Sequence, residues 1–189
     1  MKGHRTVLVV VLLASQWAYG AQWSKPVERA TPVPAWGATF VESERCVVES
    51  DDCEMTLYLQ PNGSKRRLLA SHVVGAVIAL GPWRTIFSCE ENSILGTSAP
   101  LLISLEGKVT HLRAHAGFLR QCMVVGDGAG VALIYNLGVE KSGLYNIVRV
   151  FDGAGKLVLE KNMPKSGEVE VTIGSQTYKV PVPEPEEPG

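Results

Sequence analysis

The densest group of chemistry-bearing side chains lies in the segment from Glu42 to Glu54 (ESERCVVESDDCE). Its carboxylates are those of Glu42, Glu44, Glu49, Asp51, Asp52 and Glu54. Clustered carboxylates hold a hard cation such as Ca²⁺ or dock a basic partner. The D-x-[DN]-x-[DN]-G spacing of an EF-hand loop is absent, so the calcium signal is weak and no other cofactor is indicated. We favour an exposed hairpin tip whose charges keep an edge strand from pairing, with a cation or basic-partner cluster as the alternative.

Two histidines, His111 and His115, stand four residues apart (HLRAH). On a helix such a pair would face one metal ion. The flanking residues VTHL predict a strand instead, and four strand residues span about 13 Å, which is too far for shared ligation. We therefore predict no metal site at this pair.

No local motif for nucleophilic catalysis or phosphate binding occurs in the sequence. The G-x-S-x-G spacing is absent. The glycine-rich segments VGDGAGV and FDGAGKL are not followed by a helical pattern, so hairpin turns explain them better than phosphate loops. A non-enzymatic protein is favoured. The alternative is a hydrolase or metal-dependent enzyme whose site is assembled from distant loops, for example around Asp127, His111 and Glu90.

Two tryptophans, Trp36 and Trp83, are candidate aromatic contacts for a ligand. An exposed aromatic side chain suits stacking on a sugar ring or contact with a protein partner. Most aromatic residues of a small β domain lie in the core, so burial is the simpler expectation. A carbohydrate-binding module is a further functional alternative.

The amino terminus has the three parts of a secretory signal in residues 1–20. A basic start is followed by the uncharged apolar run TVLVVVLLA, and the small residues Ala18 and Gly20 precede a predicted cut before Ala21. The run is shorter than the roughly 20 residues that a spanning helix needs. We expect a periplasmic or secreted protein with no stable membrane span after cleavage, and the alternative is an uncut anchor.

Four cysteines follow this segment: Cys46, Cys53, Cys89 and Cys122. An even count in an exported chain indicates disulfides, and four cysteines allow three pairings. Proximity favours Cys46–Cys53 across a hairpin, which leaves Cys89–Cys122 as the long-range pair.

The overall composition excludes two classes of protein. Lys and Arg number 18 against 19 Asp and Glu, a formal net charge of −1, whereas a nucleic-acid binder needs a basic excess. Apolar residues make up 46% of the chain, which excludes wholesale disorder. The expected partner is an unidentified protein or a glycan.

Apolar residues in the remaining chain alternate with a period of two, which predicts strands. The predicted strands are 55–59, 86–89, 101–105, 109–112, 131–137, 147–151, 157–159, 169–173 and 178–182. Turns are predicted at Asn62-Gly63, Glu106-Gly107, Asp127-Gly128, Asp152-Gly153 and Gly174-Ser175. The segment 71–80 fits a helix or a buried strand.

Three similar hairpins turn at Gly63, Gly107 and Gly153, which gives a repeat near 45 residues. These features predict an all-β protein of consecutive antiparallel hairpins, arranged as a β-sandwich or as propeller-like blades, with a trefoil-like threefold repeat as the alternative.

The expected organisation has four parts. These are the signal (1–20), a proline-containing extended leader (21–35), a single all-β domain (36–182) and a disordered Pro/Glu tail (183–189). The leading functional hypothesis is an exported non-enzymatic binding or structural accessory protein.

Overall fold

The computed structural model describes residues 22–48, 52–89, 91–92, 97–139 and 143–185. The predicted signal and three of the candidate residues, Glu49, Asp51 and Glu90, lie outside these ranges. No helix among the described residues is long and apolar enough to cross a membrane.

Seventeen strands and two short 3₁₀ turns make up the described part of the chain. The strands are β1 (Val27–Val33), β2 (Ala38–Cys46), β3 (Cys53–Pro61), β4 (Arg67–Val73), β5 (Ala76–Leu80), β6 (Thr85–Cys89), β7 (Glu91–Asn92), β8 (Thr97–Ser98), β9 (Leu101–Ser104), β10 (Val109–His111), β11 (His115–Ala116), β12 (Phe118–Val125), β13 (Gly130–Val139), β14 (Gly143–Asp152), β15 (Leu157–Met163), β16 (Gly167–Ile173) and β17 (Gln176–Val182). The 3₁₀ turns are Pro34–Trp36 and Gly81–Trp83.

Three four-stranded antiparallel sheets follow one another along the chain, and we call them blades. Blade 1 is β1-β2-β3-β4, blade 2 is β5-β6-β9-β10, and blade 3 is β12-β13-β14-β15. The last two strands, β16 and β17, pair only with each other among the described residues, and we call this hairpin the ribbon. A small three-stranded sheet is formed by β7 and β8, which lie between β6 and β9 in the chain, and β11, which follows β10. The predicted all-β fold of consecutive antiparallel hairpins is confirmed.

Three apolar cores lie between the successive sheets because alternate strand residues point to opposite faces. Representative members, in order along the stack, are Phe40 with Ile103, Phe87 with Leu133, and Val148 with Val171. In blade 2, Ile86 belongs to the first core and the next residue, Phe87, belongs to the second. Blades 2 and 3 are therefore buried on both faces, and each sheet is stabilised by its neighbours.

The outer faces at the two ends of the stack are polar. In the ribbon, Val169 and Val171 are buried toward blade 3, while Glu170 between them is exposed. On blade 1, alternation places Arg45 and Glu54 on the face away from blade 2, where they form an ion pair. Polar outer faces of this kind cap the ends of a stacked array in water.

The turns form where glycine permits a left-handed backbone. Gly63 has φ 71° and Gly107 has φ 87°, as the hairpin prediction requires. In the third hairpin the left-handed residue is Gly155, with φ 83°, rather than the predicted Gly153. The segment 71–80 contains the end of β4 and all of β5, with a left-handed Gly75 between them, so the strand alternative holds there.

A strand precedes the predicted start of the domain at residue 36, and hydrogen bonds hold residues that follow its predicted end at residue 182. β1 pairs with β2 along its whole length, so residues 27–33 belong to blade 1. Pro32 is tolerated because β1 is the edge strand of that blade. At the other end, Asn146 Nδ2 donates to the Pro183 carbonyl at 2.7 Å, and the Ser166 amide donates to Glu184 Oε2 at 3.0 Å. The start of the predicted tail is therefore held against blade 3 and the ribbon.

Candidate functional site

Three turns converge on a cleft of about 570 Å³ along one edge of the stacked sheets. Each turn joins the first two strands of its sheet: β5 to β6 in blade 2, β12 to β13 in blade 3, and β16 to β17 in the ribbon. Because the sheets are stacked in sequence order, these equivalent turns lie side by side. Their side chains bring aromatic, amide and carboxylate groups to one concave surface, through Trp83, Asp127, Gln176 and Tyr178.

Trp83 is the largest side chain of the cleft and is 40% exposed. It ends the Gly81–Trp83 turn, and Arg84 follows it in the left-handed conformation with φ 57°. The indole lies directly against Gly153: a Cβ atom at that glycine would come within 2.0 Å of Trp83 Cγ. Thr85 Oγ1 donates to the Gly153 carbonyl at 2.9 Å and holds the two turns together. One side of the indole ring therefore packs against the backbone of blade 3, and its exposed surface borders the cleft.

Tyr178 and Gln176 form the wall contributed by the ribbon. The Tyr178 ring covers Gly126, where a Cβ atom would come within 2.3 Å of Tyr178 Cε1. The Tyr178 hydroxyl donates to Gln176 Oε1. This bond fixes the orientation of the amide and leaves its NH₂ group to donate to a ligand.

Asp127 is the single carboxylate among the described residues that line the cleft, and these lining residues include no Lys, Arg or His. The side chain is exposed and lies in the turn between β12 and β13. The cleft therefore combines one negative charge with neutral donors and an apolar ring.

The other candidate tryptophan, Trp36, is buried, with 8% of its surface exposed. Its Nε1 donates to the Gly81 carbonyl at 3.0 Å, and its ring packs in the core between blades 1 and 2. The Trp36 ring therefore fills the core and joins two turns, as expected for most aromatic residues, and is not exposed to a ligand. Trp83 retains the candidate role.

Two described members of the acidic segment, Glu54 and Glu44, pair with cationic side chains of the protein. Glu54 accepts hydrogen bonds from both His72 and Arg45, and these two interactions, His72 first, hold the pKa of the Glu54 carboxyl below its usual value. Glu44 lies 3.7 Å from the Arg29 guanidinium. Burial raises the pKa of Glu42, and Arg29 partly offsets that effect.

The described carboxylates of the acidic segment do not form a set of ligands for a cation. The cluster with metal-ligand spacing there joins Glu44 to Cys46 and Cys53. Both sulfurs are bonded to each other in a disulfide, so neither is a thiolate ligand. Glu42, Asp52 and Glu54 do not belong to that cluster.

The two histidines of the HLRAH segment lie on different strands, β10 and β11. The His115 ring stacks on Tyr135 with centroids 5.0 Å apart. His111 does not line the cleft that holds Asp127. Asp127 and His111, two members of the suggested loop-assembled enzyme site, therefore do not line the same cleft, and Glu90, its third member, lies outside the described residues.

Both predicted disulfides are present. Cys46, at the end of β2, lies directly opposite Cys53, at the start of β3. Cys89 and Cys122 join β6 of blade 2 to β12 of blade 3. The second bridge therefore links the two blades that contribute Trp83 and Asp127 to the cleft.

Comparison with known proteins identifies the fold. No family model and no curated protein matches the chain. Among solved structures, it is similar to the β-propeller domain of the Trilobed protease from Pyrococcus furiosus, with a TM-score of 0.54 and 9% identity. The match covers 85% of this chain and 58% of that chain, so this chain spans less than two thirds of that structure. An open velcro topology is described for that domain. Among the predicted arrangements of the hairpins, the likeness supports propeller-like blades.

Proposed function

We propose that this chain is an exported, non-enzymatic binding module whose ligand occupies the cleft between blade 2, blade 3 and the ribbon. The observation that carries the proposal is the convergence of Trp83, Asp127, Gln176 and Tyr178 from three separate sheets. A concave surface with an apolar platform and a few oriented polar groups is the usual form of a small-molecule site, and its volume lies in the range of such sites, roughly 300–1,000 Å³.

The composition of the cleft favours binding over catalysis. Acid–base hydrolysis of a glycosidic bond ordinarily uses two carboxyl groups, and Asp127 is the single one among the described lining residues. Nucleophilic catalysis needs a nucleophile beside a base. Ser, Thr, Cys, His and Lys are all missing from the described lining.

Export is supported by two independent features of the chain. Residues 1–20 have the order of basic, apolar and small residues that a signal peptidase recognises. The two disulfides are stable in an oxidising compartment such as the periplasm or the cell exterior. Expression of the whole chain in a bacterial host tests this part of the proposal: the protein recovered outside the cytoplasm should begin at Ala21. An uncleaved chain in the cytoplasmic fraction would contradict it.

The binding proposal is tested with isotope-labelled oxidised protein beginning at Ala21. The probes are neutral oligosaccharides, acidic oligosaccharides, short peptides, choline and nucleotides, each added separately. We expect one class to shift the NMR signals of Trp83, Gln176 and Tyr178 and to be recovered intact by mass spectrometry. Chemical conversion of a probe would contradict a non-enzymatic role, and no shift at these residues with any class would remove the cleft as the binding site.

A matched pair of variants localises the binding. Trp83→Ala should abolish the shift, whereas Trp23→Ala should retain it. Trp23 is exposed to nearly the same extent, 38% against 40%, and lies beside Arg45 of blade 1. Equal loss in both variants would place the binding outside the cleft.

A further inference from the structure

We infer that the ligand of the cleft is a neutral saccharide, with one sugar ring stacked on Trp83 and its hydroxyl groups bonded to Asp127 and Gln176. The inference rests on the proposed function, because it names the chemical class that the same cleft accepts.

The aromatic surface is a platform, because Trp83 is backed by protein on one side. The contact with Gly153 fills one side of the indole, and the ring still keeps 40% of its surface exposed at the cleft. A sugar ring has one apolar face made of C–H groups, and it matches a single flat aromatic surface. A cation is bound best when several aromatic faces surround it.

The second aromatic residue does not complete a cage around a cation. The Tyr178 ring is packed over Gly126, and its hydroxyl is bonded to Gln176 Oε1. Tyr178 therefore serves as a wall of the cleft and as the partner that orients the Gln176 amide. This arrangement favours a ligand that stacks on one ring and bonds at its edge.

The polar groups of the cleft suit a pair of hydroxyls. Asp127 accepts hydrogen bonds, and the Gln176 NH₂ group donates them. A hydroxyl group does both, so two neighbouring hydroxyls of one sugar can donate to Asp127 and accept from Gln176. The two residues come from the turns of adjacent sheets and line the same cleft as the Trp83 platform.

The charge of the lining selects against acidic ligands. Asp127 is negative, and none of the described lining residues is a Lys, Arg or His that could pair with a phosphate, sulfate or carboxylate. Burying such an anion without a partner is costly. Neutral saccharides are therefore expected to bind more tightly than uronic or sulfated saccharides of the same length.

The experiment is a glycan array with neutral, uronic and sulfated saccharides, followed by calorimetry with the best neutral oligosaccharide. We expect neutral glycans to bind. Trp83→Ala should weaken the affinity at least about tenfold, and Trp23→Ala should leave it unchanged. Gln176→Ala changes an exposed surface residue and keeps the aromatic platform, so it tests the inference even if Trp83→Ala fails to fold. Its expected loss is about three- to tenfold.

The outcomes separate this inference from the proposed function. Binding of choline or a peptide at the cleft, or binding of acidic glycans alone, overturns the saccharide inference and leaves the binding module intact. Neutral-glycan binding that survives both Trp83→Ala and Gln176→Ala also overturns it. If no probe of any class binds at the cleft, the inference and the proposed function both fail.

Discussion

The indole nitrogen of Trp36 donates a hydrogen bond to the carbonyl oxygen of Gly81 across 3.0 Å, and this bond joins the first turns of two neighbouring blades. Trp36 and Trp83 each end a 3₁₀ turn at the same place in their blades. One ring is buried between blades 1 and 2, and the other borders the cleft. The same position in the repeat thus serves the core in one blade and the surface in the next.

The bond from Trp36 should contribute measurably to stability. Trp36→Phe keeps an aromatic ring in the core but leaves the Gly81 carbonyl without this donor. We expect the free energy of unfolding to fall by about 1–2 kcal/mol, which includes a small loss of packing. Urea denaturation measures the change. Trp23→Phe, at an exposed position, is the control and should change stability by less than about 0.5 kcal/mol. Equal effects of the two substitutions would show that the Gly81 bond is unimportant.

The absence of a side chain at Gly153 should be required for the position of Trp83. Gly153→Ala places a methyl group only 2.0 Å from Trp83 Cγ, so the indole has to move. We expect the Trp83 indole N–H signal to shift in the NMR spectrum and stability to fall by about 1–3 kcal/mol. Ala154→Ser, at the exposed next residue, should do neither. An unchanged Trp83 signal in Gly153→Ala would contradict the close contact.

The two disulfides should differ in their contributions to stability. Cys46–Cys53 spans a sequence separation of 7, and Cys89–Cys122 spans 33. In the chain-entropy description, loops of these lengths contribute about 2.5 and about 4 kcal/mol. Cys89→Ser/Cys122→Ser should therefore unfold at a lower urea concentration than Cys46→Ser/Cys53→Ser. The reverse order would show that native-state contacts, and not loop length, determine the effect.

The strands could be predicted from the sequence because burial imposes a period of two on each of them. Val131 to Tyr135, for example, alternates between two cores, and this alternation appears in the sequence as a run of apolar residues. The turn at Gly63 is predicted from the sequence equally well, because an Asn-Gly pair favours a left-handed backbone. These features are local, so each segment carries its own signal.

The cleft was not predictable in the same way. Trp83, Asp127 and Tyr178 lie in different sheets, more than 40 residues apart, and only the stacking of the sheets brings them together. Residue type alone makes Trp83 a candidate ligand contact, whereas no local pattern in the sequence indicates that Tyr178 or Gln176 lines a site. Trp36 had the same local signal as Trp83, yet it is buried. Packing against the neighbouring blades determines which of the two equivalent tryptophans is exposed to solvent. The local sequence around each tryptophan carries no information about that packing.

Glu54 should make stability depend on pH in the acid range. Its carboxylate accepts hydrogen bonds from His72 and Arg45, and they lower its pKa in the folded protein from the usual 4.5. The folded state therefore favours the charged form. The stabilisation is fully present above the pKa of the unfolded chain, near 4.5, and is lost as the pH falls through the lower folded-state pKa.

Comparison of the protein with Glu54→Gln over a pH series tests this assignment. Above about pH 5, the substitution should reduce the free energy of unfolding by about 1 kcal/mol, because the hydrogen bonds that the Glu54 carboxylate accepts from His72 and Arg45 are weakened. The difference should shrink as the pH falls below 4.5, since the Glu54 carboxyl itself becomes protonated. Glu168→Gln is the matched control: Glu168 pairs with Lys179 at 2.9 Å, but both side chains are more than half exposed, so a smaller effect is expected. A difference between the protein and Glu54→Gln that stays constant down to pH 2 would mean that Glu54 stabilises the blade by packing and not by its charge.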